Sequence, residues 1–337
     1  MHSREALYYE TAGEKVRCLL CPHQCMIKEG GTGICHVRRH EKGKLVTDIY
    51  GKLSAINFDP IEKKPLYHYF PGSVILSIGS VGCNMHCPFC QNWQISQMPA
   101  KGFSFRDAYS IGDILQIAGS KKQNIGVAYT YNEPIVWIEY ILDVARQIRD
   151  AGMKNVMVSN GFIAPAPLDE LLTCIDAFNI DLKSFSDDFY RNIAGARLEP
   201  VLASLKKIAQ SGRHLEITNL VIPGCNDKEE DFLAMVKWIA GELGKETVLH
   251  LSRYHPMYKM EQKATPSDTL RKLAEMAEKY LLFVYVGNIE LQDYQDTKCP
   301  NCNAVAIKRS GYHTEIKAMD ENGSCLYCHK RIIRNYS

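Results

Sequence analysis

The residues best suited to chemistry in this sequence are three cysteines in the segment GCNMHCPFCQNW, residues 82–93. Cys83, Cys87 and Cys90 are spaced C-x3-C-x2-C. A structural zinc ion takes four ligands and a disulfide takes two. Three thiolates fit a [4Fe–4S] cluster, because they bind three of its irons and leave the fourth open to another ligand. The alternative is a zinc site completed by His86, although adjacent residues converge poorly on one tetrahedral ion.

A second group of cysteines lies near the C-terminus, in KCPNCNAVAIKRS and GSCLYCHKR. A C-x2-C pair followed by another C-x2-C pair is typical of a ribbon that binds one metal ion through four thiolates. Zinc and a rubredoxin-like iron both suit a tetrahedral sulfur site, so the sequence leaves the metal open. The predicted ligands are Cys299, Cys302, Cys325 and Cys328.

A third group lies near the N-terminus, in RCLLCPHQCMIKEGGTGICHVRR. Gly30, Gly31 and Gly33 allow a tight return of the chain before the last cysteine of this group. We interpret the group as a four-thiolate metal site that docks against the rest of the protein, holding either zinc or an auxiliary iron–sulfur cluster. His23 and His36 are spare ligands or surface histidines. The predicted ligands are Cys18, Cys21, Cys25 and Cys35.

Composition indicates a reducing setting in which clustered cysteines bind metal rather than form disulfides. The 337 residues are 46% hydrophobic, and 40 basic and 38 acidic residues give a net charge of +2. No apolar run approaches the ~20 residues that span a bilayer, and the first residues lack the apolar centre of a secretory signal. We therefore expect a cytoplasmic protein with no membrane partner. The near-neutral charge argues against nucleic acid as a partner, and we interpret the basic residues 37–40 as a solvated turn. Cys174 and Cys225 belong to none of the three groups. We interpret them as free cysteines, which commonly act as small buried hydrophobic residues.

Between the second and third cysteine groups in the chain, apolar runs alternate with amphipathic segments. The segment PIVWIEYILDVARQIRDAG has Pro134 at its first turn and Gly152 as a stop, which predicts a helix. Alternating strands and helices predict a parallel sheet. About seven units are fewer than the eight of a closed barrel, so a partial, open (β/α) barrel is favoured over a doubly wound sheet. The predicted strands are 74–79, 125–131, 154–160, 176–182, 214–222, 247–254 and 281–287.

Three parts of the chain follow from this reading. Residues 1–70 form an N-terminal four-cysteine metal-binding segment and lead-in, residues 71–290 the partial barrel, and residues 291–337 the C-terminal ribbon. The three-cysteine loop directly follows the first strand of the array. Because active sites of such folds lie at the carboxyl ends of the strands, the loop is expected at the working edge.

C-x3-C-x2-C with an aromatic residue before the last cysteine, after the first strand of a (β/α) array, resembles the radical S-adenosylmethionine (SAM) superfamily. The resemblance implies a [4Fe–4S] cluster whose open iron is chelated by SAM. It also implies reductive cleavage of SAM to a 5′-deoxyadenosyl radical that removes a hydrogen atom from a substrate. An external electron donor of the ferredoxin or flavodoxin type would then be a partner.

The same resemblance assigns residues to SAM. YTYNEP follows the second strand where the family has its Gly-Gly-Glu segment, and Glu133 is the expected acceptor for the SAM amino group, with a helix-capping acid as the alternative. SNG and DLK resemble segments of the glycyl-radical-enzyme activases, with Lys183 facing the SAM carboxylate. Val158 stands where those activases carry an acid, so their cation site is not expected here. The predicted SAM-binding residues are Phe89 against the adenine, Tyr131, Asn132, Glu133, Ser159, Asn160, Asp181 and Lys183.

The flanking segments narrow the resemblance. The N-terminal cysteine segment, DPIEKKPLYHYFPGS, RYHPMY, YVGNIE and KRSGYHTEI together resemble the AmmeMemoRadiSam system radical SAM enzyme family, nearly end to end. This implies Amme-domain and Memo-type proteins as partners, but it names no substrate. The chain departs from the family at its end, where RIIRNYS replaces the usual glycine and tryptophan.

Polar residues at the end of the sixth strand are candidates for work on the substrate. Arg253 and His255 are the predicted catalytic residues, because strand ends are where barrel enzymes place working side chains. Three functions remain open: a radical SAM enzyme acting on a small or partner-held substrate, an activase that installs a glycyl radical on a partner protein, and a non-enzymatic multi-zinc adaptor. The neutral charge and the length of the barrel argue against the adaptor.

Overall fold

The computed structural model describes residues 3–105 and 108–336. The N-terminal part consists of two small antiparallel sheets, ordered β1-β6-β5 and β2-β3-β4. Their strands are β1 (Arg4–Glu5), β2 (Tyr9–Ala12), β3 (Lys15–Cys18), β4 (Met26–Lys28), β5 (Arg38–Glu41) and β6 (Lys44–Thr47). Alternate residues of β3 and β5 are buried, and Val16 of β3 and Leu45 of β6 are fully buried and join the main core.

The central sheet has eight strands, and their order in space follows their order in the chain. Seven strands run parallel and correspond to the seven predicted runs. Within the described ranges its edge strands, the first and the last, form no ladder with each other, so the predicted open, partial barrel is confirmed. The strands are β7 (Ala55–Pro60), β8 (Val74–Gly79), β9 (Asn124–Tyr129), β10 (Lys154–Ser159), β11 (Ala177–Asp181), β12 (His214–Val221), β13 (Val248–Arg253) and β14 (Val284–Gly287).

The first of these strands, β7, was not predicted. It pairs antiparallel with β8, from Ala55 opposite Gly79 to Pro60 opposite Val74. Its sequence AINFDP is too polar to read as a buried strand, and proline is tolerated there because β7 is an edge. The lead-in of the chain therefore contributes directly to the sheet.

Helices connect the parallel strands on the outer face. The predicted helix after β9 begins with a 3-10 turn at Pro134–Trp137 and ends before Gly152, whose φ of +76° favours glycine. Within the described residues no helix is both long and apolar enough to cross a membrane. The helices are α1 (Trp93–Ser96), α2 (Ile111–Gly119), α3 (Ile138–Asp150), α4 (Pro165–Leu172), α5 (Asp187–Phe189), α6 (Leu198–Gln210), α7 (Glu229–Trp238) and α8 (Ser267–Glu278).

The amino-terminal end of the sheet is closed from inside by residues 61–70. Glu216, near the start of β12, is fully buried and accepts hydrogen bonds from the backbone N–H groups of Tyr67 (3.0 Å) and His68 (2.7 Å). It also contacts His250 Nε2 at 2.6 Å. Because this end is sealed, the carboxyl edge of the sheet is the open face.

The C-terminal ribbon packs against residues 61–70 at the closed end of the sheet. It comprises β15 (Thr297–Lys298), β16 (Val305–Ser310) and β17 (His313–Ile316) in one antiparallel sheet. Arg309 is fully buried and donates hydrogen bonds to the carbonyl of Tyr67 at 2.9 Å and to Thr297 Oγ1 at 2.7 Å. The ribbon thus secures the closed end of the sheet, away from the open edge.

Candidate active site

The three-cysteine loop leaves β8 at the open edge and is shaped by one asparagine. Asn132 accepts a hydrogen bond from the N–H of Ser80 (2.9 Å) and donates to the carbonyls of Val81 and Gly82, both at 3.1 Å. Gly82 has a φ of +88°, and a β-carbon there would lie 2.7 Å from the carbonyl oxygen of Cys35. Asn132 therefore positions the loop, and Gly82 lets the N-terminal cysteine segment approach it closely.

The loop holds its cysteines in a dry environment. Burial raises the pKa of Cys87 to about 11 and that of Cys83 well above the usual thiol range. Thiolates at these positions need a compensating cation, and iron bound to sulfur supplies one. His86, the alternative zinc ligand, is exposed and its Nδ1 lies 3.1 Å from Gln97 Oε1. The donor set thus fits a cluster on Cys83, Cys87 and Cys90.

Glu133 lies beside the loop and is 4% exposed. Its carboxylate accepts hydrogen bonds from Ser159 Oγ (2.7 Å), Asn160 N (2.8 Å) and Ile135 N (3.2 Å). The last of these caps the helical turn at Pro134–Trp137, so the capping role that was the alternative is present. Burial outweighs the three bonds and raises the pKa of Glu133 to about 7. A carboxylate has about four lone-pair sites, which leaves one for a ligand.

The segment after β10 connects Glu133 to the cysteines. Asn160 donates a hydrogen bond from Nδ2 to Asn84 Oδ1 at 2.8 Å, and the same Nδ2 lies 3.7 Å from Cys83 Sγ. Gly161 follows with a φ of +70°, and a β-carbon there would lie 2.9 Å from Ile180 Cγ2. The SNG segment therefore brings its polar groups to the cysteine loop, and its predicted contact with SAM stays a prediction.

Asp181 and Lys183 lie at the end of β11 on the other side of the loop. Lys183 Nζ is 2.9 Å from Asp181 Oδ2, and its side chain is 14% exposed. Although burial opposes protonation, the negative charges of Asp181 and the Cys87 thiolate raise the pKa of Lys183 overall. The same ammonium lies 5.9 Å from the ring centroid of Phe89, which is 3% exposed. A permanent cation thus faces the loop beside a buried aromatic ring.

Tyr131 points away from the cysteines, toward the interior of the barrel. Its hydroxyl donates to Asp59 Oδ2 at 2.6 Å, and its backbone φ is +74°. Asp59 also pairs with Lys64 Nζ at 2.8 Å, and this lysine is 2% exposed. Sequence reasoning missed both residues of this ion pair, although they lie in the quoted segment DPIEKKPLYHYFPGS. They form a polar cluster on the inner face of the sheet.

The predicted catalytic residues lie at the end of β13. Arg253 is half-buried and its Nε donates to the carbonyl of Thr265 at 2.9 Å, while His255 is exposed. The chain then reaches the cysteine loop, where the N–H of Lys259 donates to the carbonyl of Pro88 at 2.9 Å. The structure thus brings the RYHPMY segment to the loop but gives Arg253 a backbone partner of its own.

An aromatic pair at this contact was not predicted. The rings of Trp93 and Tyr258 stack at 5.1 Å with an interplanar angle of 12°. Trp93 ends the quoted loop segment and Tyr258 ends RYHPMY, so the two motifs meet through their last residues. Trp93 begins a four-residue helix and Tyr258 lies in a turn, and segments this short carry no periodic signal that would reveal such a pairing.

The ribbon cysteines converge tightly enough for a single ion. The sulfur atoms of Cys299, Cys302, Cys325 and Cys328 all lie within 4.8 Å of one another. Zinc–sulfur bonds of about 2.3 Å in a tetrahedron put sulfurs about 3.8 Å apart. The predicted four-thiolate geometry is therefore present, and it suits one tetrahedral metal ion.

The N-terminal cysteines surround a common space. Cys18, Cys21, Cys25 and Cys35 line one common cavity, together with Asn84 of the three-cysteine loop. The four side chains come from the end of β3, the turns before β4 and the turn before β5. The group therefore converges and docks against the barrel, as predicted.

Comparison with known proteins finds a family and relatives that this chain resembles. Residues 77–239 match the radical SAM superfamily. The chain is 40% identical over 333 residues to the uncharacterized protein MJ0808 of Methanocaldococcus jannaschii, covering 98% of each. It is 22% identical over 219 residues to pyruvate formate-lyase 1-activating enzyme of Escherichia coli, covering 59% of this chain and 86% of that one.

Among solved structures, SuiB of Streptococcus suis bound to S-adenosylmethionine shares the fold. The TM-score is 0.51 at 16% identity, over 66% of this chain and 53% of that one. The match of residues 77–239, together with the cysteine loop at the open edge of a partial barrel, identifies the family. The chain belongs to the radical SAM superfamily, whose members are enzymes that use an iron–sulfur cluster.

Proposed function

We propose that this protein binds a [4Fe–4S] cluster on Cys83, Cys87 and Cys90 and cleaves SAM reductively to act on a polar substrate inside the barrel. One observation carries the proposal. The three thiols lie in a dry loop at the open edge, with the free acceptor site of Glu133 on one side and the ammonium of Lys183 on the other. When bound, the cluster and SAM supply a carbon-centred radical that removes a hydrogen atom from the substrate.

The side chains divide the recognition of SAM between its two charged ends. Glu133 accepts a hydrogen bond from the amino group through its remaining lone pair, while Ser159 and Asn160 fix its orientation. Lys183 exchanges part of its pairing with Asp181 for the SAM carboxylate. Phe89 covers the adenine, and Tyr131 and Asn132 act by positioning the loop and the strand end.

The substrate enters from the open edge, since residues 61–70 close the other end. The inner face beneath the edge is polar, with Asp59, Lys64 and Tyr131 in one cluster. Farther along the sheet, Thr218 Oγ1 donates to Asn179 Oδ1 at 2.9 Å. A polar lining favours a small polar molecule or a polar group held by a partner. Arg253 and His255 would contact it at the rim.

We further infer membership of the AmmeMemoRadiSam system enzymes, supported by the matching segments along the whole chain. Amme-domain and Memo-type proteins are then partners, with a ferredoxin or flavodoxin as electron donor and the cytoplasm as the setting. The ribbon is a structural zinc site that folds residues 291–337, and residues 1–70 and 71–290 are the other two parts of the protein.

An activase is the second candidate function. It is supported by the similarity to the pyruvate formate-lyase activating enzyme, which spans 86% of that relative. In this case the substrate is a glycine of a partner protein rather than a small molecule. Incubation of the reduced enzyme and SAM with a partner should then give an electron paramagnetic resonance (EPR) signal of a glycyl radical on the partner.

The test of the principal proposal is SAM cleavage. Protein reconstituted without oxygen, with SAM and a strong reductant, should form 5′-deoxyadenosine. Cys87→Ala should abolish the product, because the cluster has no spare protein ligand. Cys225→Ala, a half-buried cysteine outside the three groups, is the matched control and should retain it. Cleavage of SAM by the Cys87→Ala protein would refute the assignment of the loop.

A further inference from the structure

The sulfur atoms of the N-terminal cysteines lie farther apart than those of the ribbon. In the part of the chain that the structure describes, the ribbon is the group whose ligand atoms all lie within 4.8 Å of one another, and the N-terminal sulfurs form no such group. A single zinc ion needs sulfurs about 3.8 Å apart. A cubane of four irons and four sulfides separates its cysteines more widely and occupies space between them. Four thiols spread around a common space, as the N-terminal cysteines are, suit this wider arrangement.

A buried cation with an unused donor lines the same cavity. Arg38 is 1% exposed and pairs with Glu139 Oε1 at 2.8 Å. Its Nε–H has no hydrogen-bond partner within the described residues. An unpaired buried N–H is costly unless a ligand accepts it, and the sulfurs of an anionic cluster are acceptors. The guanidinium also offsets part of the negative charge that four thiolates bring to the cluster.

The cavity is one side chain away from the proposed active-site cluster. Asn84 lines it and accepts, through Oδ1, a hydrogen bond from Asn160, whose Nδ2 also lies 3.7 Å from Cys83 Sγ. His23 Nε2 lies 2.8 Å from the carbonyl of Asn84. The carbonyl of Cys35 packs against Gly82. A metal group on the N-terminal cysteines and one on the three-cysteine loop would therefore be linked by buried, hydrogen-bonded polar groups.

The N-terminal cysteines also have an inner and an outer side. Cys18 and Cys35 are buried at 7% and 9% exposure, and Cys35 lies against the three-cysteine loop. Cys21 and Cys25 are only half-buried, and Cys25 lies beside the exposed residues Met26 and Ile34. A cluster here would reach the surface on one side and the active-site loop on the other.

We propose that Cys18, Cys21, Cys25 and Cys35 bind a second [4Fe–4S] cluster that passes electrons to the cluster on the three-cysteine loop. The inference rests on the proposed function for its role as a relay, but not for the existence of the second cluster. Each turnover moves one electron: a ferredoxin- or flavodoxin-type donor is oxidised, the second cluster is reduced, and it is reoxidised as the active-site cluster is reduced. No covalent bond forms or breaks in this transfer.

The first test counts iron and acid-labile sulfide. The reconstituted protein should hold about eight of each for two clusters, and the Cys83/Cys87/Cys90→Ala triple variant should keep about four of each. Iron in the ribbon would add no sulfide, so sulfide isolates the clusters. The reduced triple variant should give a cluster EPR signal that SAM does not alter, because all four irons have protein ligands. A triple variant without sulfide, or with zinc in its place, would overturn the second cluster and leave the proposed function intact.

The second test asks whether the cluster is a relay. The Cys21→Ser/Cys25→Ser variant should lose about half of the sulfide but keep the SAM-sensitive EPR signal. It should still cleave SAM with dithionite, and lose at least about tenfold of the rate with a reduced ferredoxin as donor. Cys225→Ala is the control for both measurements. Equal rates relative to wild type with the two reductants would overturn the relay. Absence of 5′-deoxyadenosine from wild-type protein whose triple variant retains sulfide would instead count against the proposed function.

Discussion

Replacement of Glu133 by glutamine should weaken SAM binding without disturbing the active-site cluster. The carboxylate already accepts three hydrogen bonds from protein donors, and the proposal gives its last lone pair to the SAM amino group. An amide of the same shape has one acceptor oxygen and adds two N–H donors. The amide must therefore place an N–H against one of the protein donors or turn an N–H toward the SAM amino group.

The expected loss follows from the type of contact. A hydrogen bond to a buried ionised group contributes about 1.5–3 kcal/mol, or roughly 10- to 150-fold in the dissociation constant. The measurement is equilibrium binding of SAM to anaerobically reconstituted protein, with iron content determined on the same sample. Glu62→Gln is the matched control, because Glu62 is also buried and accepts bonds from Gly72 N and Thr314 Oγ1, far from the loop.

The pH dependence of the difference makes the test more specific. Because the pKa of Glu133 is raised to about 7, the SAM-free protein carries a proton there at lower pH, and SAM binding must release it. The advantage of wild type over Glu133→Gln should shrink by about tenfold between pH 8 and pH 6. The amino group of SAM titrates equally in both experiments and cancels. Identical affinities, or a difference independent of pH, would refute the role given to Glu133.

Three further outcomes are expected. Lys183→Met should weaken SAM binding by about 10- to 150-fold in an equilibrium assay with iron content unchanged, and unaltered affinity would reduce Lys183 to a structural role. Cys302→Ser/Cys328→Ser should release about one zinc ion per chain and make the ribbon sensitive to protease, while SAM cleavage with dithionite persists. Glu216→Ala should lower the free energy of unfolding by about 3–5 kcal/mol in urea titrations, since it strips buried donors of their acceptor. Burial opposes ionisation of Glu216, but its histidine partners hold its pKa well below the usual range, so this stabilisation should be lost as the pH falls below about 4.5.

The sequence was sufficient for the parallel part of the sheet because buried strands are continuous apolar runs. VILSIG and IGVAYTY, for example, each became one central strand. The antiparallel edge β7 escaped prediction, because Asn57, Asp59 and Pro60 give it the composition of a loop. Its polar side chains Asn57 and Asp59 contact the Tyr131 hydroxyl on the inner face, a setting that hydrophobic periodicity does not register.

Cysteine spacing predicted the tight convergence of the four ribbon cysteines, since the ligands of each C-x2-C pair lie close together in the chain. The long-range contacts that orient the three-cysteine loop could not be predicted in the same way. Asn84 and Asn160 are 76 residues apart, yet they share the hydrogen bond that joins the SNG segment to the three-cysteine loop. Asn132 is 50 residues from Gly82, whose carbonyl it binds. Asparagine in a turn has the same local signature whether it caps its own backbone or a distant one.

The direction of Tyr131 shows the limit of transfer by motif. Its neighbour Glu133 faces the cysteine loop, but the left-handed backbone at Tyr131 turns this side chain to Asp59 on the inner face. A pattern of residue types carries no information on such a change of backbone direction. In the proposed function, this direction would place the Tyr131 side chain on the substrate side of the edge, away from the SAM contacts of Glu133.

The active-site loop is ordered by hydrogen bonds that do not involve its cysteines. Asn132 holds the backbone at Ser80 and Gly82, and the Cys35 segment packs against the same turn. Three thiols are thereby gathered where burial disfavours their ionisation. Binding of iron reverses that penalty, so the free energy of cluster binding contributes to the stability of the loop. In the proposed function, this ordered backbone would hold the cluster beside Glu133 and Lys183 before SAM binds.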